Sequence, residues 1–268
     1  MAKLALNQIT TLRASLLDDV TACRDLGIAG IGLWRRKVAE FGEERTVELL
    51  RDSGLHVTSL SWAGGFTGSY GLSFEEAVDD AFAALQLARG LSADCLVLVS
   101  GTRNGHTTNY AKKLLRDGLR ELADDAGEAG IALALQPVHR IFQDDWSFVT
   151  SLDDALDVLL ACRHSAVKLA LDVYHMGQEP DLLSRLPELV PHLAVVQLSD
   201  GAFPPAHQYD RRQLGDGEIP ITDITQTLVR NGYNGFFELA LWSRKLWKAE
   251  CGRVVSECLE RFERHCRR

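Results

Sequence analysis

Four segments in the second half of the sequence share a layout: an apolar, strand-like run that ends close to one amide or carboxylate. Side chains alternate between the two faces of a strand, so a polar residue shares a face with the residue two positions before it. In Val167–His175, which we predict to be a strand, Asp172 shares its face with Ala170. The corresponding polar residues of the four segments are Gln136, Asp172, Gln197 and Glu238.

This repeated pattern favours a functional site. Hard divalent cations bind oxygen ligands, and the four side chains would supply four of them, two from carboxylates. A carboxylate is also able to remove a proton and return it. The alternative is a polar rim whose side chains bond only to one another and to water. Agreement in register over four consecutive predicted strands favours the functional interpretation.

The elements that position these residues form a repeating series of strands and helices. We predict strands over 3–8, 28–34, 56–62, 95–100, 132–137, 167–175, 193–200 and 236–242. We predict helices over 15–27, 43–54, 73–91, 108–129, 152–161, 181–189, 222–231 and 248–265, with Ser73 and Glu76 as a capping box. Eight such units in 268 residues are what a (β/α)8 barrel requires, and its chemistry lies at the carboxyl ends of the strands.

A doubly wound sheet is the rival fold, but no Gly-x-Gly-x-x-Gly follows the first predicted strand. With 46% apolar residues, the chain is able to bury a large core, and no low-complexity tract or charge run divides it. We therefore predict the α/β class, as a (β/α)8 TIM barrel forming a single domain over residues 1–268.

Composition excludes several classes of protein. The formal charge of -8 and the absence of a basic stripe argue against nucleic acid as a partner. The six cysteines are scattered without a Cys-x-x-Cys, which is typical of a reduced cytosolic protein. We find no signal peptide in Met1–Thr11 and no run of ~20 apolar residues that would span a membrane. We expect a cytoplasmic protein.

The order and spacing of six short motifs resemble those of a known family. The motifs are Gly32–Arg35, Leu133–His139, Leu171–His175, Gln197–Asp200, Leu214–Ile219 and Phe237–Leu239. Together they are similar to the xylose isomerase-like barrel superfamily. This sugar phosphate isomerase/epimerase group includes hydroxypyruvate isomerases, ketose 3-epimerases, inosose isomerases and dehydratases, and the more distant endonuclease IV.

The resemblance implies a metal site. In that family a Glu on strand five, an Asp on strand six, a His or Gln on strand seven and a Glu on strand eight bind Mg²⁺, Mn²⁺ or Co²⁺. The two glutamates also exchange protons with the sugar carbons beside the carbonyl. By position, Asp172 and Glu238 match these ligands, and Gln197 matches the form found in hydroxypyruvate isomerases. Gln136 stands where the family has Glu.

That departure leaves three outcomes open. The amide oxygen of Gln136 is able to coordinate a metal, but it lowers the negative charge of the site and hence the metal affinity. An amide does not exchange protons near neutral pH, so one of the two bases is lost. Glu238 then acts as the lone base with another group completing the transfer, or the reaction needs one base, as a β-elimination does. In the third outcome the barrel binds a sugar without turnover.

Further candidates lie near the predicted strand ends. His139 and His175 each follow a predicted ligand by three residues, as in the family, and we expect them to orient the substrate; ordinary loop histidines are the alternative. The candidate substrate-binding residues are Trp34, Arg35, Trp62, His106 and Arg211. Aromatic faces suit sugar C–H groups and arginine suits carboxylate or phosphate, but packing or a solvated loop would also explain them.

We therefore expect a metal-assisted isomerase or epimerase that moves a proton beside the carbonyl of a small sugar or keto acid. Glu238 is the expected base, with Gln136, Asp172, Gln197 and Glu238 as the expected metal ligands. A sugar-binding barrel without activity is the rival from another class. Phosphodiester cleavage of the endonuclease IV type ranks last, because it needs more His and carboxylate ligands and a basic surface. The sequence leaves the substrate, the metal and any homo-oligomer undetermined.

Overall fold

The computed structural model describes residues 2–266 as a closed barrel of eight parallel strands that follow one another in chain order. The strands are β1 (Lys3–Asn7), β2 (Gly30–Trp34), β3 (His56–Gly64), β4 (Cys95–Val99), β5 (Ala132–Leu135), β6 (Val167–Asp172), β7 (Leu193–Leu198) and β8 (Phe236–Leu239). Pairing of β1 with β8 closes the barrel. The predicted (β/α)8 fold is confirmed, for all but the three terminal residues that lie outside this description.

Ten α-helices occur in the described part of the chain. They are α1 (Leu16–Asp25), α2 (Arg35–Phe41), α3 (Glu43–Ser53), α4 (Phe74–Gly90), α5 (Thr108–Ala129), α6 (Leu152–Cys162), α7 (Val173–Met176), α8 (Leu182–Leu189), α9 (Ile221–Arg230) and α10 (Cys251–Cys266). The predicted capping box of α4 is confirmed, because the Ser73 side chain accepts from the Glu76 N–H and the Glu76 carboxylate accepts from the Ser73 N–H. None of these helices is long and apolar enough to cross a membrane.

The prediction of a strand over 167–175 is wrong beyond Asp172. The Asp172 carboxylate Oδ1 accepts the N–H of Tyr174 at 3.0 Å, which caps the single helical turn α7. His175 therefore lies on a helix rather than on a strand. The strands β5, β7 and β8 also end earlier than predicted, so that Gln136 directly follows its strand.

Helix α2 is absent from the predicted elements. It starts at Arg35, directly after β2, and its N-cap residue Trp34 makes no side-chain hydrogen bond to it. Its first residues are Arg35, Arg36 and Lys37, so the sequence there shows neither a capping residue nor an apolar period. Lys37 nevertheless faces inward, only 4% exposed.

The described contacts divide into two compact units, each with its own core. The terminal unit consists of residues 2–58, 172–191 and 195–266. The central unit consists of residues 59–171 and 192–194. Leu6, Ile31 and Phe237 are fully buried in the terminal unit, where β1 pairs with β2 and β8. Leu96 and Leu98 are fully buried in the central unit, where β4 pairs with β3 and β5.

Candidate active site

Glu238 is a fully buried carboxylate on β8. Its Oε2 accepts hydrogen bonds from Asn7 Nδ2 at 2.8 Å and from Gln197 Nε2 at 3.0 Å. Its Oε1 accepts from Thr58 Oγ1 at 2.5 Å. Gln197 is the register partner of Glu238 on β7, which explains their contact. Three neutral donors from three different strands thus fix the orientation of the carboxylate.

The backbone of β2 leaves space for the carboxylate of Glu238. A Cβ atom on Gly32 of β2 would lie 2.6 Å from Glu238 Oε1 and 2.9 Å from Asn7 Nδ2, closer than such atoms approach. Asn7 Oδ1 accepts the N–H of Ile9 at 3.1 Å, so its amide nitrogen is directed at Glu238. Glycine at position 32 and the turn after β1 therefore help to hold the carboxylate.

Asp172, at the end of β6, forms a buried ion pair with Arg211. The guanidinium Nη1 lies 2.8 Å from Asp172 Oδ2, and the two side chains are 3% and 1% exposed. Arg211 Nη2 lies 3.2 Å from His175 Nε2. Because a guanidinium has only donors, a hydrogen bond at this distance requires Nε2 of His175 to be the acceptor. The guanidinium carbon also lies 4.6 Å from the centroid of the Tyr174 ring.

The loop between β7 and α9 holds Arg211 in this position. Asp200 and Arg212 exchange backbone hydrogen bonds of 3.0 and 2.8 Å, and the Arg211 N–H donates to the Trp242 carbonyl at 3.2 Å. Arg211 Nη1 also donates to the carbonyl of Ala240, two residues after Glu238, at 3.1 Å. The loop is thus fastened to the ends of both β7 and β8, with Arg211 between them.

Asp200 organises the rest of that loop. Its carboxylate accepts backbone N–H groups from Gly201, Gly215 and Ile219 at 2.8, 2.9 and 3.1 Å. A Cβ on Gly217 would lie 2.2 Å from Asp200 Oδ1, so only glycine fits there. The Gly-Asp-Gly-Glu motif is therefore the part of the loop that folds around a buried carboxylate.

Gln136 belongs to an aromatic cluster of the central unit. Trp62 Nε1 donates to Gln136 Oε1 at 3.2 Å, and Trp62 meets Trp146 edge-on with centroids 5.2 Å apart. The Tyr70 hydroxyl donates to the Trp146 carbonyl at 2.9 Å. These three aromatic residues line a cavity of about 330 Å³. Because an indole N–H is only a donor, the amide oxygen of Gln136 must face Trp62 and its NH2 group must face away.

The donor set as arranged does not fit a divalent cation. Within residues 2–266 no group of three His, Cys, Asp or Glu side chains is placed to hold a metal. Asp172 is paired with the fixed positive charge of Arg211, and the Gln136 oxygen accepts from an N–H donor. A carboxylate attracts a metal ion less strongly when a cationic side chain already neutralises its charge. The four-residue metal site stays a prediction.

The other predicted residues have contacts of different kinds. His139 caps a short helical turn, its Nδ1 accepting the Ile141 N–H at 3.3 Å, and burial together with Arg140 lowers the pKa of His139. His106 packs edge-on against Tyr110 at 5.0 Å. The Trp34 ring lies 5.8 Å from the Arg36 guanidinium, and Arg35 begins α2. Their predicted roles toward a substrate stay predictions.

Sequence reasoning missed the residues that hold the two carboxylate clusters. Asn7 and Thr58 bond to Glu238, and Asp200 folds the loop that carries Arg211. Asn7 was detectable, because it is a polar residue at the end of an apolar strand, as Gln136 and Asp172 are. Thr58 was detectable as a polar residue on the same face of β3 as Leu60, two positions further on.

A closed parallel barrel with buried carboxylates at the ends of its later strands defines the class of (β/α)8 barrels with a site at the carboxyl face. The chain belongs to the xylose isomerase-like TIM barrel family, whose sequence model matches residues 20–260. The resemblance read from the short motifs is thereby confirmed.

Solved structures agree with this assignment. Protein SMc04130 from Sinorhizobium meliloti 1021 superposes with a TM-score of 0.91 at 30% identity, covering 98% of each chain. A structure of IOLI protein with a binding zinc atom has a TM-score of 0.86 at 18% identity, again over 98% of each chain. L-ribulose 3-epimerase has a TM-score of 0.80 at 17% identity, covering 100% of this chain and 95% of its own. Comparison with curated proteins finds no significant match.

Proposed function

We propose that the protein catalyses proton transfer at a carbon beside the carbonyl of a small sugar or sugar-derived keto acid, as an isomerase or epimerase. The observation that carries this proposal is Glu238, a fully buried carboxylate held by three neutral donors on the barrel strands. Such a fixed carboxylate is suited to act as a general base toward a substrate carbon. The family of the chain and the similarity to L-ribulose 3-epimerase support the reaction class.

In the proposed reaction Glu238 removes the proton from the carbon next to the carbonyl. The electron pair of the broken C–H bond forms the carbon–carbon double bond of an enediolate, and negative charge moves to the carbonyl oxygen. The hydroxyl proton of the first carbon then passes to the former carbonyl oxygen. Protonated Glu238 returns its proton to the former carbonyl carbon, and a new carbonyl forms at the first carbon, which completes an isomerisation. His175 and Arg211 are proposed to orient the substrate oxygens, because both are buried beside the ion-paired Asp172.

A one-base elimination is a second candidate, favoured by Gln136. Its amide is no proton acceptor, and its oxygen already accepts from Trp62, so strand five contributes no second base. In the elimination Glu238 removes the same proton, a double bond forms, and the β-hydroxyl leaves with that proton as water. The divalent metal expected from the sequence has no step in either reaction, because the donor set does not fit it.

Proton NMR in D2O with a panel of ketoses and keto acids tests the proposal. We expect deuterium to appear at the carbon beside the carbonyl of at least one compound, with loss of water instead if elimination is the reaction. Glu238→Gln should slow the exchange by at least about 100-fold, as for removal of a general base. The exposed Glu218 provides a matched control, because Glu218→Gln should exchange at the wild-type rate. Binding without any exchange by the wild-type protein would instead favour the sugar-binding barrel.

A further inference from the structure

We propose that the guanidinium of Arg211 supplies the fixed positive charge that polarises the substrate carbonyl, so that the reaction needs no divalent metal. This inference rests on the proposed function, since it names the electrophile of the same site. It is carried by the contacts of Arg211 and by the donor that the protein leaves without a partner.

Arg211 occupies a position from which it competes with any cation for Asp172. Nη1 lies 2.8 Å from the Asp172 oxygen, and Arg211 as a whole is 4% exposed. Coordination of a metal by Asp172 would have to break this buried pair or place a divalent ion beside a guanidinium. Arginine stays charged at any working pH, so the competing charge is permanent.

The hydrogen-bonding capacity of Arg211 is not exhausted by the protein. Nη1 donates to Asp172 and to the Ala240 carbonyl, and Nη2 meets His175. Its Nε is buried and has no hydrogen-bond partner among the described residues. Leaving a buried donor unpaired costs free energy, and an oxygen of a bound ligand would recover it. A substrate carbonyl oxygen, which gains negative charge as the enediolate forms, is an acceptor suited to this N–H donor.

The arginine is also held rigidly enough to act as a preorganised electrostatic group. The Tyr174 ring packs on its guanidinium, and the backbone bridges at Asp200–Arg212 and Asp210–Ser243 enclose it on both sides. Fixed charges of this kind stabilise a developing oxyanion without reorganising during the reaction.

Mn²⁺ titration of the EDTA-treated protein, followed by the EPR signal of free Mn²⁺, tests the inference without any substrate. We expect no saturable site in the wild-type protein up to 1 mM Mn²⁺. Arg211→Met exposes the Asp172 carboxylate to the ion and should gain at least tenfold in Mn²⁺ affinity. Arg212→Met is the matched control, because it removes the same charge one residue away, where the side chain contacts the Asp216 carbonyl instead. Its affinity should equal that of the wild type.

Micromolar Mn²⁺ binding by the wild type that is lost in Asp172→Asn would overturn the inference, whatever the outcome of the exchange assay. So would a folded Arg211→Met variant with unchanged Mn²⁺ affinity. Once a substrate is known, exchange should continue in EDTA and fall at least 100-fold in Arg211→Lys, which keeps the charge without the fork. Exchange that stops in EDTA and resumes with Mn²⁺ contradicts the inference while leaving the proposed function intact.

Discussion

The terminal unit contains two buried ion pairs. Their charged atoms are similarly close and similarly buried, but the hydrogen bonds around them differ. Lys37 Nζ lies 2.7 Å from Asp19 Oδ2, and Arg211 Nη1 lies 2.8 Å from Asp172 Oδ2. All four side chains are at most 4% exposed. Distance and burial alone would therefore assign the two pairs the same role.

The Lys37–Asp19 pair is enclosed by additional polar partners. Asp19 accepts from Thr11 Oγ1 at 2.6 Å and from Gln8 Nε2 at 2.9 Å, and Lys37 Nζ also donates to the Thr11 carbonyl at 2.8 Å. These contacts join α1 and α2 to the turn after β1. A pair satisfied in this way is able to repay the cost of burying two charges.

The Arg211–Asp172 pair is less complete. Nε of Arg211 has no partner among residues 2–266, and the second guanidinium nitrogen faces a histidine rather than a carboxylate. The pair also lies where strands β6, β7 and β8 end. We propose from this comparison that the satisfied pair stabilises the fold and that the incomplete pair takes part in substrate binding.

Lys37→Met is expected to have the largest effect on stability. It leaves Asp19 buried without its counter-charge, which costs about 3–5 kcal/mol. Urea unfolding measures the loss directly. Lys113→Met is the control, because the ion pair of Lys113 with Asp117 is mostly exposed and should be worth less than about 1 kcal/mol. A loss below 1 kcal/mol for Lys37→Met would remove the distinction between the two pairs.

Arg211→Met is expected to cost less stability, about 1–3 kcal/mol. Asp172 loses its counter-charge, but the buried Nε that lacks a partner is removed together with it, which returns part of the loss. Unfolding in urea, under the conditions used for Lys37→Met, gives the comparison. A stability loss as large as that of Lys37→Met would indicate that Arg211–Asp172 is also a structural pair.

The sequence predicts the part of this site that lies on strands. Asp172 and Glu238 are predictable because alternation along a strand is a local pattern. It places a polar side chain on one face of a parallel barrel independently of distant parts of the chain. The fold class follows from the same repetition. Helix α2 and the burial of Lys37 were not predicted, because a run of basic residues normally indicates an exposed surface.

The partners of the carboxylates depend on contacts distant in the sequence. Arg211 meets Asp172 across 39 positions, through a long loop whose path is set by Asp200. No local pattern shows that one of two adjacent arginines faces inward. The orientation of the Gln136 amide likewise depends on Trp62, 74 positions away. Sequence reasoning therefore gives the candidate ligands but not the charge that neutralises them.

The last expected effect is a pH dependence of stability that belongs to the Lys37–Asp19 pair. Burial raises the pKa of Asp19 from 3.8 to about 6, against the opposing influence of Lys37. Between about pH 4 and pH 6 the folded protein therefore holds a proton that the unfolded chain has released. The contribution of Asp19 to the free energy of unfolding should therefore fall as the pH rises through this range and level off above it, because stability decreases wherever the folded state binds more protons.

Urea unfolding of the wild type and of Asp19→Asn at pH 4, 5, 6 and 7 isolates this contribution. Other groups titrate in both proteins, so they cancel in the difference between the two free energies. That difference, wild type minus variant, should decrease steeply from pH 4 to pH 6 and only slightly from pH 6 to pH 7. An increase over the same range would mean that Lys37 outweighs burial and keeps Asp19 ionised. The pair would then stabilise the fold most strongly above pH 4, and its contrast with Arg211–Asp172 would rest on hydrogen bonding alone.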